Sequence, residues 1–164
     1  CMNILILMDP WESANSPIER SCKQNIIQFI SSITDNWLIY YWDTDLPIDY
    51  EISAILESKS NATHSNNAVE VYDLRPNATY FFAGFHANHC LFYNCIGIDK
   101  LLEFHPKAKF FVLNDLTCGL NLHNDMPVCI EDIVASNNLQ RYRKQMLLQH
   151  MIHSSTIIGR SPNC

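Results

Sequence analysis

Two side chains in this sequence combine reactive chemistry with a suggestive position: the carboxyl of Asp9 and the thiol of Cys90. Asp9 directly follows the apolar run Asn3-Ile4-Leu5-Ile6-Leu7-Met8. Cys90 follows Tyr80-Phe81-Phe82-Ala83-Gly84 after a short loop, Phe85-His86-Ala87-Asn88-His89. Short continuous apolar runs of this kind read as strands covered on both faces, as in parallel sheets. In an open parallel α/β sheet, ligands bind beyond the carboxyl ends of the strands. A carboxylate and a thiol therefore arrive at one edge of the sheet. Cys90 also opens an apolar helical pattern, Cys90, Leu91, Cys95, Ile98, Leu101 and Leu102. The free N–H groups and partial positive charge of a helix start lower a thiol's pKa and can hold an oxyanion. Each residue also has a plainer reading. Free cysteines often serve as small buried apolar groups, and Asp before Pro commonly starts a turn.

The elements that must position this pair alternate. Ser16-Pro17-Ile18-Glu19 has the form of a capped helix start, and Ile18, Cys22, Ile26, Phe29, Ile30 and Ile33 continue it as a helical stripe. Trp37-Leu38-Ile39-Tyr40-Tyr41 predicts a second strand, closed by Asp43-Thr44-Asp45, and a short helix is expected over Tyr50 to Glu57. Residues 69–74 fit helix and strand equally well. Lys109-Phe110-Phe111-Val112-Leu113 predicts a strand ending at Asn114-Asp115; residues 130–150 predict one long helix, and Ser155-Thr156-Ile157-Ile158 a last edge strand. Strands alternating with helices predict a single α/β domain over residues 1–164: three layers, α/β/α, around a mostly parallel, doubly wound, Rossmann-like sheet.

Composition narrows the function. The chain has 164 residues, 48% hydrophobic, a net charge of -6 and only 11 Lys and Arg. Phosphate-held nucleic acid is therefore not expected as a partner. No apolar run approaches the ~20 residues of a membrane helix, so no membrane partner is expected either. The seven cysteines include no CxxC pair, and the first residues lack the basic, apolar and small-residue pattern of a secretory leader. Free thiols in the cytoplasm are the expectation. With four glycines and no Gly-rich loop after the first strand, a flavodoxin-like nucleotide binder lacks a phosphate cradle. Trp11, Trp42 and Phe85 could wall a flat, small substrate, although strand-end aromatics mostly pack beneath neighbouring loops. His86 and His89 are expected to line the pocket or to bond the backbone; as a single pair they make an incomplete zinc site.

The segment Ala83-Gly84-Phe85-His86-Ala87-Asn88-His89-Cys90 resembles the G-x-x-T-N-x-C segment of the isochorismatase-like cysteine hydrolases. Asp9 is similar to that family's catalytic aspartate, and Asp115 to the aspartate closing the following strand. The resemblance covers roughly residues 2–118. It implies Cys90 as nucleophile, Asp9 as acid–base and Lys59 as the lysine that keeps the aspartate ionised. Backbone N–H groups near His89 and Cys90 would meet the oxyanion, with His86, Asn88 and His89 around the pocket and Trp11 and Phe85 against the substrate. The implied activity is hydrolysis of an amide or related C–N bond of a small molecule through an acyl-enzyme, by a homo-oligomer without a cofactor. Nicotinamidases of the family hold a metal with an Asp-x-His and a further His; here Asp43-Thr44-Asp45 lacks the histidine, with only His64 nearby, so no metal is expected. The family's Gln two residues after the aspartate is Trp11 here, and the Thr of its T-N pair is Ala87. These departures, and a short segment between the second strand and Gly84, leave open a second reading: a degenerate member of the fold that binds or assembles.

Overall fold

A computed structural model describes residues 2–136 and 139–157. The chain runs β1 (Asn3–Met8), α1 (Pro17–Ser32), β2 (Trp37–Trp42), α2 (Tyr50–Glu57), β3 (Ala62–His64), α3 (Ala68–Tyr72), β4 (Thr79–Gly84), α4 (Cys90–Tyr93), α5 (Ile98–Phe104), β5 (Lys109–Leu120), β6 (Pro127–Cys129), α6 (Ile130–Ala135), α7 (Arg141–His150) and β7 (Met151–Ile152). The result is a mixed α/β fold on a seven-stranded sheet in the order β3-β2-β1-β4-β5-β6, with β7 also paired to β5. Every pairing is parallel except β5 with β6. No described helix is long and apolar enough to cross a membrane.

Local chemistry explains several boundaries. At α1, Ser16 Oγ accepts from Glu19 N at 3.3 Å and Glu19 Oε1 accepts from Ser16 N at 3.1 Å. This reciprocal cap, with Pro17 at the first helical position, stabilises the helix by about 1 kcal/mol. Asp49 caps α2 by accepting from Glu51 N and Ile52 N. The ambiguous residues 69–74 resolve largely as helix, because Asn67 caps α3 through Val69 N and Glu70 N while Val71 and Tyr72 are buried beneath it.

Along the strands, burial alternates between two clusters. Ile4, Ile6, Met8, Tyr80 and Phe82 join side chains of α3, α4, α5, α6 and α7. Leu5, Leu7, Ile39, Phe81 and Ala83 join those of α1 and α2. Helices therefore cover apolar residues from both sets of alternate strand positions, which is why the strands read as continuous apolar runs.

Four expectations change. The pattern from Cys90 to Leu102 is two helices, α4 and α5. Asn94 turns to an extended ψ of 153° and its Oδ1 accepts from Ile96 N, and a Cβ at Gly97 would lie 2.7 Å from Phe92 O. The expected helix over 130–150 is two helices: α6 closes at Ser136 and α7 starts after Gln140, both caps having extended backbone. The last strand is Met151–Ile152 rather than 155–158: Ser154–Thr156 is a 3-10 turn, and Ile158 lies outside the described residues. Finally, β5 continues to Leu120. Phe82 pairs with Val112, but Gly84, two residues on, pairs with Thr117, five residues on. Thr117 Oγ1 donates to Leu113 O at 2.7 Å and closes this bulge, which lets β5 run on beside the β4–α4 loop.

Candidate functional site

The chain passes from β1 outward through β2 and β3, then crosses back to place β4 on the other side of β1. The strand order thus reverses between β1 and β4. In open α/β sheets the loops leaving two such strands part in opposite directions, and ligands bind at the carboxyl ends between them. Asp9 ends β1 at this point, and residues 85–90 leave β4 beside it.

The two strands approach closely here. Gly84 has a φ of 130°, and a Cβ on it would lie 1.8 Å from Met8 O, so only glycine fits. Asp9 (φ 57°) and His86 (φ 56°) are both non-glycine residues in left-handed conformations. Such geometry costs roughly 1–3 kcal/mol at each position and is concentrated at functional sites.

Asp9 is fully buried. Its Oδ1 accepts from Thr44 N at 2.6 Å, while Oδ2 is buried without a hydrogen bond of ordinary geometry. The thiol of Cys90 and the hydroxyl of Thr44 lie beside the carboxyl. Burial raises the Asp9 pKa above the usual carboxylate value, opposed by these polar neighbours and by the nearby imidazole of His86. Burial, and then the adjacent Asp9, push the Cys90 thiol far above the ordinary thiol range. The pair holds a proton that neither partner readily gives to solvent. Both shifts favour the protonated form of each group.

The surrounding frame is specific. Thr44 sits in a tight turn in which Leu46 N donates to Thr44 O and Asp45 has a φ of 66°. The β1–α1 and β2–α2 loops are joined by Glu12 N to Pro47 O and Asp49 N to Pro10 O. Buried Lys23 reaches Glu12 O at 3.2 Å, Asn15 Oδ1 at 3.0 Å and Asp49 at 3.4 Å. On the opposite side, Ala87 N donates to Cys118 O, and Asn88 makes two bonds to the Leu120 backbone, both at 2.9 Å. The extended end of β5 thus clamps the loop that carries Cys90.

A comparison with protein-family models found no match, and neither the curated proteins nor the solved structures gave one.

The structure brings Asp9, Cys90 and His86 together but removes others from the expected set. Lys59 follows α2 and precedes β3, and Ala62 pairs with Ile39, near the start of β2. Asp9 lies past Met8, which pairs with Trp42. At about 3.3 Å per residue, the two lie more than ~13 Å apart along the strands, at opposite edges of the sheet. Lys59, the lysine expected at the site, is therefore misplaced: parallel β3 carries its leading turn to the amino edge. Phe85 is 2% exposed within the cluster beneath α1 and α2, so it is core rather than substrate wall. Asn88 spends its amide on Leu120. His89 is exposed, and the N–H groups of His89 and Cys90 both donate to His86 O, at 2.9 and 2.8 Å, so neither is free for an oxyanion. Trp11 stays beside the pair, edge-on to His86 at 4.8 Å, with a buried Nε1 that lacks a partner.

Asp115 is not in the crevice: it accepts from Ser154 N and Oγ and anchors the 3-10 turn to β5. At the end of β2, Asp43 meets His64 at 2.5 Å and His64 stacks on Trp42. No group of three or more potential metal-binding side chains occurs among the described residues. Sequence reasoning missed Thr44 and Asn94. The only signal for Thr44 was its place between two aspartates just after a strand, and nothing marked Asn94.

Proposed function

We propose that this chain is a small-molecule cysteine hydrolase of the isochorismatase-like type, cleaving an amide or related C–N bond. One observation carries the reading: a thiol and a carboxyl lie against each other where the strand order reverses, in the crevice that open α/β sheets use for ligands. Cys90 Sγ attacks the substrate carbonyl carbon while its proton passes to Asp9, whose Oδ2 makes no hydrogen bond of ordinary geometry. The C–N bond then breaks, Asp9 returns the proton to the leaving nitrogen, and a thioester remains on Cys90. Water, losing a proton to Asp9, attacks the thioester; the carboxylic acid leaves and the thiol is restored. The same reading takes the two core clusters as the faces of a three-layer, doubly wound sheet. The five described cysteines, all free, support a reducing compartment such as the cytoplasm. A small molecule is the partner this crevice suits, and a homo-oligomer is the expected assembly.

A second reading has specific support. Lys59 stands at the wrong edge, and the N–H groups of His89 and Cys90 are already bonded. Both facts fit a degenerate site that binds without turnover. The deciding experiment incubates the protein with a panel of primary amides and with an activated aryl ester. Amine release by the wild type but not by Cys90→Ser, with an acyl mass on the Cys90 peptide, establishes the hydrolase. No turnover, with Cys90 acylated no faster than Cys129, leaves the binding module.

A further inference from the structure

The polar contacts around Asp9 form a directed chain. Asn94 is buried, and its Oδ1 accepts from Ile96 N at 3.2 Å and from Cys95 Sγ at 3.1 Å. The backbone N–H of Ile96 can only donate, so it fixes which end of the Asn94 amide is oxygen. The other end, Nδ2, must then donate, and it does so to Thr44 Oγ1 at 3.2 Å. A hydroxyl that receives a hydrogen bond keeps its own proton for another acceptor. The acceptor beside it is the Asp9 carboxyl, to which Thr44 also gives its backbone N–H at 2.6 Å.

We propose that Asn94 and Thr44 are positioning residues for the acid–base step: the Asn94 amide polarises the Thr44 hydroxyl toward Asp9 and thereby holds Asp9 as the proton acceptor for Cys90. The inference rests on the hydrolase reading, in which Asp9 takes the thiol proton. It goes beyond that reading by naming what keeps a fully buried carboxyl available as a base. Burial alone would leave Asp9 protonated at a higher pH and unable to accept. Two donors from one residue oppose this, and a buried amide outside the reacting pair orients one of them. The other titratable groups facing Asp9 are Cys90 on α4, Cys95 just beyond it and His86 on the β4–α4 loop; Asp45, next to Thr44, acts on Cys90. None of these lies on the Asn94–Thr44 path except Cys95, whose thiol donates to the same Asn94 oxygen.

The test is the pH profile of Cys90 alkylation by iodoacetamide, followed peptide by peptide. In the wild type the rate rises first as Asp9 ionises, and Asp9→Asn abolishes that acid limb. Thr44→Val removes the hydroxyl but keeps the N–H, and moves the limb up by about one pH unit, so the rate on the limb falls about tenfold. Thr44→Ser restores it. Asn94→Asp retains an acceptor for Ile96 N but offers Thr44 a second acceptor in place of a donor, and this loss and the added negative charge both move the limb in the same direction. Circular dichroism confirms that each variant is folded. An acid limb that Asp9→Asn abolishes but Thr44→Val and Asn94→Asp leave in place overturns the inference and spares the role of Asp9. A limb displaced as far by Thr44→Ser as by Thr44→Val overturns it as well. A wild type without any Asp9-dependent limb overturns both.

Discussion

Replacing Asp9 by Asn should make Cys90 less reactive near neutral pH and more reactive at alkaline pH, so that the two profiles cross. In the wild type, thiol and carboxyl titrate as a pair. In the proposed mechanism Asp9, whose pKa burial raises, gives up its proton before the thiol does, and the carboxylate then takes the thiol proton as Cys90 reacts. The second proton leaves only far above the ordinary thiol range, because burial and the adjacent negative charge both resist a thiolate. Asn keeps a carbonyl oxygen for Thr44 N but removes the charge. Two unit charges about 4 Å apart, at an effective dielectric of about 20, repel by roughly 4 kcal/mol, or about three pH units. Burial of the thiol persists, so the thiolate should appear about two to three units earlier in Asp9→Asn. At pH 9–10 this is on the order of a hundredfold faster alkylation. At pH 6–7 the variant lacks its base and should be at least about tenfold slower than wild type. The assay is iodoacetamide labelling from pH 5 to 10, quantified on the Cys90 peptide, with the half-buried, free Cys129 as internal reference. Superimposable profiles, or a variant slower at every pH, would refute the claim that these two groups share a proton.

Three further outcomes test the frame. Gly84→Ala places a methyl 1.8 Å from Met8 O at a φ of 130°; it should destabilise the fold by more than about 3 kcal/mol, and a loss below 1 kcal/mol in urea unfolding would contradict the close approach of β1 and β4. Lys59→Ala should leave the rate and pH profile of Cys90 alkylation unchanged, because Lys59 lies at the other edge of the sheet; any displacement of the acid limb would return that lysine to the site. Asn88→Ala removes both bonds to Leu120 and strands two backbone groups. It should cost about 2–3 kcal/mol and should raise amide hydrogen exchange in the β4–α4 loop, and an unchanged loop would mean that β5 does not hold it.

What could be read in the sequence was what local pattern encodes. Asn3–Met8, the Ser16 cap and Tyr50–Glu57 announce themselves through continuous apolar runs, capping residues and helical periodicity, all properties of neighbours along the chain. Asp9 and Cys90 could be singled out for the same reason, since one follows a recognisable strand signal and the other opens a helical one. Lys59 was not, because it came from chain order alone: order gives no information about which edge of the sheet a residue reaches, and only the direction of β3 decides that. The extension of β5 past Leu113 depends on a bulge closed by Thr117, and the helix break depends on Asn94 and on the crowded approach at Gly97. Both are tertiary accommodations that the apolar pattern runs straight through. Asn88 and Phe85 were misjudged because proximity to a cysteine in sequence says nothing about orientation. One turns to β5 and the other into the core.

The distribution of strain argues that the crevice is more than a seam between loops. Of the four non-glycine residues with positive φ among the described residues, three gather here and Asp125 lies in the β5–β6 turn: Asp9 bears the carboxyl, Asp45 closes the turn that carries Thr44, and His86 supplies the carbonyl that gathers His89 N and Cys90 N. A fold selected only for stability could relax each of these at no cost to its core, since none contributes an apolar side chain to either cluster. Fully burying Asp9 while leaving one oxygen without a good partner adds a further cost in the same place. Asp9 is also an acid whose pKa is raised on folding, so the unfolded chain binds fewer protons through that window and stability falls as pH rises through it. Unless it does chemistry, the group is a liability at neutral pH. If Asp9→Asn therefore raises the melting temperature at pH 7 more than at pH 4 while abolishing the acid limb of Cys90 reactivity, stability and reactivity are opposed at this residue, as expected of a working base and not of a relic that has been free to drift.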